Sequence, residues 1–568
     1  MLSELYGCTY NVKQRQAPLK TQVRINAVIQ RFTPPSFIPL LIAGAIHALS
    51  FAPAPLPTGF LPFVQLLSFT ALLFFTLKAS STKTALWGAW AFGLANFGVG
   101  VYWLYISLHQ YGGLAPSLAV LALFAFAASL ALFYMLAIGL MRFFIRQPKQ
   151  LSWKQQLGAA LVIASAWVLT EWVRGTFLSG FPWLNIAYAH VDGMFAGWAP
   201  IFGSYGVAWF AAFTSATLAI FALNTRQDAP KQYSFPLGIA AIFALAGVLL
   251  GGIEWHQAHG DTFFVRLAQG NVEQNVKFDP NHLQDGVNLY KKLAAVPPKS
   301  PEAKPDLIVL PETIVPLFQH QWQTEFWQEW IDIATEQDAT ILLGAPLYAQ
   351  QGGKGIYTNS AITIDSQSSA TAIQQLQMAQ RYDKHHLVPF GEFIPPGFHW
   401  FIELMNIPLG DFNRGSTRQA NFTLGSQWIG PNICYEDTFG EEIIQGVRDS
   451  AEHGPGATLL VNLSNLAWFG DTWALRQHLQ IARMRSIETA RPTLRATNTG
   501  VTATIFPNGK VQALLPTHTI GVLDVEIQGT TGQTPYVSWS NWPAILWSLL
   551  LLVFVGRALR SSSQRSIS

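Results

Sequence analysis

Charge is spread so unevenly along this 568-residue chain that it divides the sequence before any motif is considered. Residues 37 to 257 hold 13 Asp, Glu, Lys and Arg side chains, whereas residues 258 to 540 hold 45 of the chain's 67. A bilayer core asks for about 20 apolar residues per helix. Apolar stretches near 37–51, 56–77, 85–107, 117–141, 157–173, 198–223 and 235–253 supply seven candidate spans, and 542–556 an eighth. The first is short and runs into FAPAPLP. A secretory signal has a similar profile, but Pro53 and Pro55 crowd any cleavage point and six more spans follow. The expected organisation is a basic tail (1–36), a membrane domain of about seven transmembrane helices (37–257), a globular domain (258–540), and a last transmembrane helix with its tail (541–568).

Composition agrees with this division. The chain is 50% hydrophobic and 12% charged, against roughly 25% charged in soluble domains. That argues against an ordinary soluble enzyme, and equally against disorder, which needs low hydrophobicity and high net charge. A formal charge of +3 is too small to suggest a nucleic-acid partner. Cys8 and Cys434 are too few to form a disulfide framework.

Basic residues in short loops mark the cytoplasmic side. They fall in the tail (Lys13, Arg15, Lys20, Arg24, Arg31), after the second span (Lys78, Lys83), after the fourth (Arg142, Arg146, Lys149, Lys154), after the sixth (Arg226, Lys231) and after the last (Arg557, Arg560, Arg565). The alternate loops are almost uncharged. Eight spans with both ends cytoplasmic satisfy this parity and put residues 258 to 540 outside, in the periplasm of a cell with two membranes. A transporter would want several ionisable groups at mid-bilayer. The apolar block offers His47, Asn96, Asn185 and a Glu171–Arg174 pair at i, i+3, read as interfacial or snorkelling.

Beyond residue 258 the pattern changes to short apolar runs. FFVRLAQGNV, LIVLPE, ATILLGAPL, YTNSAITID, WIGPNICYED, ATLLVNLSN and TATIF read as strands, several with the continuous Val, Ile and Leu content of sheets buried on both faces. Residues 324–337 and 473–491 read as helices, the second with Leu475, Leu479, Ala482 and Ile487 near one face. Pro507-Asn508-Gly509 marks a hairpin turn. Strands alternating with helices imply an α/β layered domain.

Cys434 ends an apolar strand and is followed by two acids. A lone buried cysteine is most often a small core hydrophobe, but an unpaired thiol in an oxidising compartment is a candidate nucleophile. A thiol needs a base, and a carbonyl under attack needs a donor for its oxyanion. Glu312, at the end of LIVLPE, and Lys384, in RYDKHHLVPFGE, supply a carboxylate and a cation. Each taken alone is as well read as a surface ion-pair member. Spacing does not show that the three meet.

The phrases LPET, RYDKHHLVPFGEFIP and ICYED resemble the catalytic segments of the nitrilase (carbon-nitrogen hydrolase) superfamily. Together with a membrane block, and with GFPWLNIAY, AQGNV, AWFGD, HLQIARMRSIETARP and TNTGVTA, the chain is similar to the apolipoprotein N-acyltransferase family from about residue 37 to 560. The resemblance implies an αββα sandwich joined to about eight spans, with Glu312 as general base, Lys384 as oxyanion-side cation and Cys434 as nucleophile. Glu392, Tyr435 and Glu436 match supporting positions. Phe278, Leu310 and Leu466 stand where relatives commonly have Trp, Trp and Asp. By the resemblance, the Phe278 position is one expected to shape the way in for acyl chain or substrate, and the indole N–H of relatives is missing there. Trp468 and Phe469 fit either a core or the apolar wall of a lipid-using site.

The resemblance further implies acyl transfer from the sn-1 position of a phospholipid, phosphatidylethanolamine foremost, to the α-amino group of the lipid-modified N-terminal Cys of an apolipoprotein. It places the enzyme in the inner membrane and requires no cofactor. His385 and His386 are adjacent in an extended segment and point to opposite faces, which argues against a shared metal ion. Two rivals use the same residues: a membrane-anchored amidase, and a non-catalytic membrane protein that binds lipid. A small soluble substrate needs no eight-span anchor, and presence of all three triad residue types argues against an inert domain.

Overall fold

The computed structural model describes residues 37–53, 56–146, 151–224, 230–298, 300–398 and 411–565. The basic tail with Cys8, and the loop residues Lys149 and Arg226, lie outside the described residues.

Among the described residues, five helices are long and apolar enough to cross a membrane: Thr58–Lys78, Pro116–Phe144, Trp153–Thr176, Ala196–Asn224 and Trp542–Ser562. A sixth candidate is the pair Thr82–Gly100 and Leu104–Tyr111, bent by 65° at its break. Ile38–Phe51 and Phe235–Leu250 are apolar but shorter. All eight expected stretches are thus helical, while the number of full spans is five, or six with the bent pair. The chain is a multi-pass membrane protein.

One end of this bundle gathers basic residues. Arg142 donates to the carbonyls of Leu77 and Ala79, Arg560 lies over the Phe143 ring, and Gln155, beside Lys154, donates to Ser562. The helix Ala196–Asn224 is broken at Gly203, whose φ is +66°. A Cβ there would meet the Tyr536 ring at 2.3 Å, so glycine is required both by conformation and by space. The break exposes the Ser204 N–H as a new helix start, and the Glu488 carboxylate accepts from it at 2.6 Å.

Twelve strands follow among the described residues: β1 (Gln257–Gln269), β2 (Leu307–Val309), β3 (Thr340–Gln351), β4 (Lys354–Ile364), β5 (Arg381–Asp383), β6 (Phe422–Leu424), β7 (Gln427–Ile433), β8 (Leu459–Ser464), β9 (Thr493–Thr497), β10 (Ala503–Ile505), β11 (Val511–Leu514) and β12 (Gly521–Thr531). They form two sheets of six, ordered β12-β1-β2-β3-β4-β5 and β11-β10-β9-β8-β7-β6. The central pairs β1–β2, β2–β3, β7–β8 and β8–β9 are parallel, which accounts for their unbroken apolar runs.

Alternation along each strand builds the layers. Leu307 and Val309 face inward and pack with Ile433, Val461, Leu463, Leu494 and Ala496 of the opposite sheet. Ile308, Ile341 and Leu343 face outward, against Tyr290 of the helix Leu283–Ala294 and Trp327 and Trp330 of Thr324–Gln337. On the far side, Leu479 and Ala482 of Trp473–Thr489 pack toward Ala503 and Ile505. Ile481, Met484 and Ile487 of the same helix join the core of the membrane bundle. This helix is therefore covered all round, from Gln477 to Thr489, where the sequence pattern suggested one apolar face.

Candidate active site

Glu312, Lys384 and Cys434, far apart in sequence, converge where the parallel strands end. Chain leaves β2 at Val309 and turns, so that Glu312 lies three residues beyond the strand rather than in it. The turn crosses β3 at Gly344, where a Cβ would come within 2.7 Å of the Glu312 Cα. Lys384 directly follows β5. Cys434 follows β7 with φ +53°, a left-handed conformation that is strained for any side chain.

Lys384 Nζ donates to Glu312 Oε1 at 3.1 Å and lies 2.9 Å from the Glu392 carboxylate. Asn359, on β4, bridges the same two acids, its Nδ2 donating to Glu312 at 2.8 Å and to Glu392 at 2.7 Å. The other Glu312 oxygen accepts from the Asn465 N–H at 2.9 Å. Burial raises the Glu312 pKa, but the Lys384 charge and the donors outweigh it, and the carboxyl sits below its ordinary value. Burial likewise opposes the Lys384 charge, yet Glu312 and Glu392 hold its pKa above normal. Cys434 is half-buried. Burial, then the charge of Glu312, pushes its thiol well up, and Lys384 works in the opposite direction. The resting thiol is protonated beside an ionised carboxylate.

The turn carrying Cys434 is held from several directions. Its carbonyl accepts from Asn462 Nδ2 at 3.3 Å and from His478 Nε2 at 3.1 Å. Arg495 faces His478 Nδ1 at 2.8 Å. A guanidinium can only donate, so Nδ1 accepts and the proton stays on Nε2. Burial and the Arg495 charge push the imidazole pKa far down, which keeps it neutral. Arg495 is itself paired with Asp437 at 2.6 Å. The Glu436 carboxylate accepts from the N–H groups of Ile433, His385 and His386 and from the Tyr382 hydroxyl, tying the Cys434 turn to the Lys384 segment.

Membrane-bundle residues reach the same place. Tyr435 donates to Gly180 O at 3.1 Å, His386 Nε2 donates to Ser179 O at 2.8 Å, and Trp183 donates to Gln477 at 2.8 Å. Glu171 and Arg174 shape this loop. Arg174 donates to the carbonyls of Phe181 and Trp183, while Glu171 accepts from the Ile186 N–H. At 3% and 2% exposed the pair is buried inside the protein and does not snorkel, which corrects that part of the sequence expectation: a loop folds back over it and uses its hydrogen bonds. Trp468 is half-buried, edge-on to Tyr111, with its carbonyl bound by Ser107, and Phe469 packs on Trp103. Leu310 and Leu466 are core residues. Phe278 is half-buried next to Lys277.

Residues 43–217 match the family model described as apolipoprotein N-acyltransferase N-terminal domain, and residues 265–536 match carbon-nitrogen hydrolase. An apolipoprotein N-acyltransferase of Bordetella bronchiseptica is 46% identical over 92% of this chain and 96% of its own length. The chain belongs to the apolipoprotein N-acyltransferase family. A member from Ralstonia nicotianae is 42% identical over 90% of this chain and 91% of its own, and one from Pseudomonas aeruginosa 33% identical over 94% and 98%. Among solved structures, a Nesterenkonia amidase of the nitrilase superfamily is similar, with a TM-score of 0.33, 16% identity, and coverage of 50% of this chain and 94% of the amidase. Asn359 and Lys277 hydrogen-bond Glu312 and His478 the Cys434 carbonyl, although sequence reasoning gave these three no role. His478 lay inside HLQIARMRSIETARP and Asn359 inside YTNSAITID, and the only available signal was a polar residue within an otherwise apolar or tightly patterned run.

Proposed function

We propose that this protein moves the sn-1 acyl chain of a phospholipid, phosphatidylethanolamine foremost, onto the α-amino group of the diacylglyceryl-modified Cys of an apolipoprotein. The observation that carries this reading is the contact between Lys384 and both Glu312 and Glu392 beside Cys434, at a place gripped by a loop of the membrane bundle. In the first half-reaction the Cys434 sulfur attacks the ester carbonyl as Glu312 takes its proton, and Lys384 stabilises the oxyanion. Collapse breaks the ester C–O bond, and Glu312 returns the proton to the departing lysophospholipid. In the second half the amine attacks the thioester, Glu312 accepts the N–H proton, and the amide forms as the C–S bond breaks and the thiol is regenerated. One nucleophile serving two substrates in turn gives ping-pong kinetics.

The basic end of the bundle, with Lys78, Arg142 and Arg560, supports a cytoplasmic placement of that end. The catalytic region, held at the Ser179–Trp183 loop, then faces the periplasm of the inner membrane. The test is intact-mass analysis of the purified chain after incubation with phospholipid. A fatty-acyl adduct on Cys434 is expected, disappearing when an acceptor lipopeptide is added and absent in Cys434→Ala. Full turnover by Cys434→Ala would sink the reading.

A further inference from the structure

The Glu312, Lys384 and Glu392 cluster has two negative charges and one positive. That leaves a net charge of −1 beside a thiol that must itself become negative, an arrangement that disfavours ionisation. A fourth charge is present. Lys277, at the end of the short helix Gln274–Lys277, is 6% exposed, and its Nζ donates to the Glu312 backbone carbonyl at 3.1 Å. Among the described residues it makes no ion pair of its own. A buried ammonium held by one neutral carbonyl and, at 5.9 Å, the face of the Phe278 ring is costly unless a surrounding field supports it.

That field comes from the cluster. Burial lowers the Lys277 pKa and the charges of Glu312 and Cys434 offset part of that, leaving it at about 8. The same short helix reaches the other side of Glu312: Gln274 accepts from Asn465 Nδ2 at 2.8 Å, and the Asn465 N–H binds the Glu312 carboxylate. The remaining charged group facing Cys434 is Arg495, which is already neutralised by Asp437.

We propose that Lys277 is a positioning residue whose ammonium balances the Glu312–Lys384–Glu392 cluster, so that Cys434 can ionise beside two carboxylates. The inference rests on the reading of Cys434 as nucleophile. With Lys277 charged, the four side chains sum to zero and the thiolate carries the only net charge. Without it, the thiolate becomes a second uncompensated negative charge at the same place.

The test reads thiol ionisation directly, without turnover. Full-length protein in detergent is treated with iodoacetamide at pH 7, where Lys277 is charged and the alkylation rate follows the small thiolate fraction. The thiolate displaces iodide to form the S–C bond, and the Cys434 peptide is quantified by mass. Lys277→Gln keeps a donor for the Glu312 carbonyl but loses the charge, and it should slow alkylation about tenfold or more. Lys277→Arg should keep the wild-type rate. The double variant Lys277→Gln/Glu392→Gln restores neutrality and should return the rate toward wild type, which a purely structural role would not. A Lys277→Gln rate equal to wild type, or no rescue by Glu392→Gln, overturns the assignment. If Lys277→Gln does not fold, Lys277→Arg decides, because alkylation slowed with the charge retained also overturns it. A slowed Lys277→Gln together with acyl transfer surviving Cys434→Ala would leave the charge assignment standing and remove only the nucleophile reading.

Discussion

Trp183 and His478 lie face to face, with ring planes 4° apart and centroids separated by 5.5 Å. One ring belongs to a loop of the membrane bundle, and the other donates to the carbonyl of Cys434. The strained backbone of Cys434 is therefore supported, through one imidazole, by the membrane part of the chain. Losing one partner of a buried hydrogen bond costs about 1–3 kcal/mol. His478→Ala should slow single-turnover thioester formation about 10- to 100-fold and Trp183→Leu less so. Wild-type rates in His478→Ala would mean that Asn462 alone holds the turn.

Lys384 and Glu312 are assigned different tasks, and their variants should differ in pH response. Lys384→Met removes a charge facing the oxyanion, a loss of about 10² to 10³ in rate that alkali does not restore. Glu312→Gln removes the proton acceptor together with a charge that raises the thiol pKa, so acylation of Cys434 should recover as pH rises. Thioester formation followed by mass from pH 6 to 9.5 separates them. Parallel profiles would show the division of roles to be wrong.

Arg174→Met frees the Phe181 and Trp183 carbonyls and leaves Glu171 buried without its cation. Breaking a buried pair from one side typically costs about 3–5 kcal/mol. Thermal unfolding in detergent should drop sharply for Arg174→Met. It should fall less for Glu171→Gln/Arg174→Met, in which no lone charge remains.

Glu436 gives a pH signature of stability. Burial raises its pKa to about 7, so on folding it binds a proton that the unfolded chain releases nearer 4.5. Its contribution is complete below about pH 4.5 and is lost as pH climbs through about 7, a change of about 3 kcal/mol. The unfolding temperature of Glu436→Gln should accordingly vary less between pH 4.5 and 7 than that of wild type. An unchanged slope would assign the pH dependence to other buried acids such as Asp437 and Glu488.

Much of the fold could be read from residues alone, because burial leaves period-specific traces. ATLLVNLSN reads as a strand from its continuous apolar run, and residues 324–337 read as a helix. The span count was less legible: apolar length does not reveal the 65° bend after Gly100. The helix Trp473–Thr489 misled for a related reason. A helix packed between a sheet and a membrane bundle buries its polar residues too, so Gln477, His478, Arg485 and Glu488 look like a solvated face until their partners are seen. Glu312, Lys384 and Cys434 stood out as residue types at strand ends. Asn359 and Lys277 did not, since what distinguishes them is convergence on Glu312 from 47 and 35 residues away.

β1 and β12 are antiparallel neighbours, Gln257 opposite Thr531 and Gln269 opposite Gly521, so chain enters and leaves the sandwich side by side. The departing helix Trp542–Arg565 then returns to the bundle and packs on Trp153–Thr176, where Gly158 admits Val555 and Leu559. During translation the whole sandwich must emerge before that seam can be sealed. A chain that stops short of residue 542 leaves the surface of Trp153–Thr176 at Gly158 without the side chains of Val555 and Leu559 that fill it.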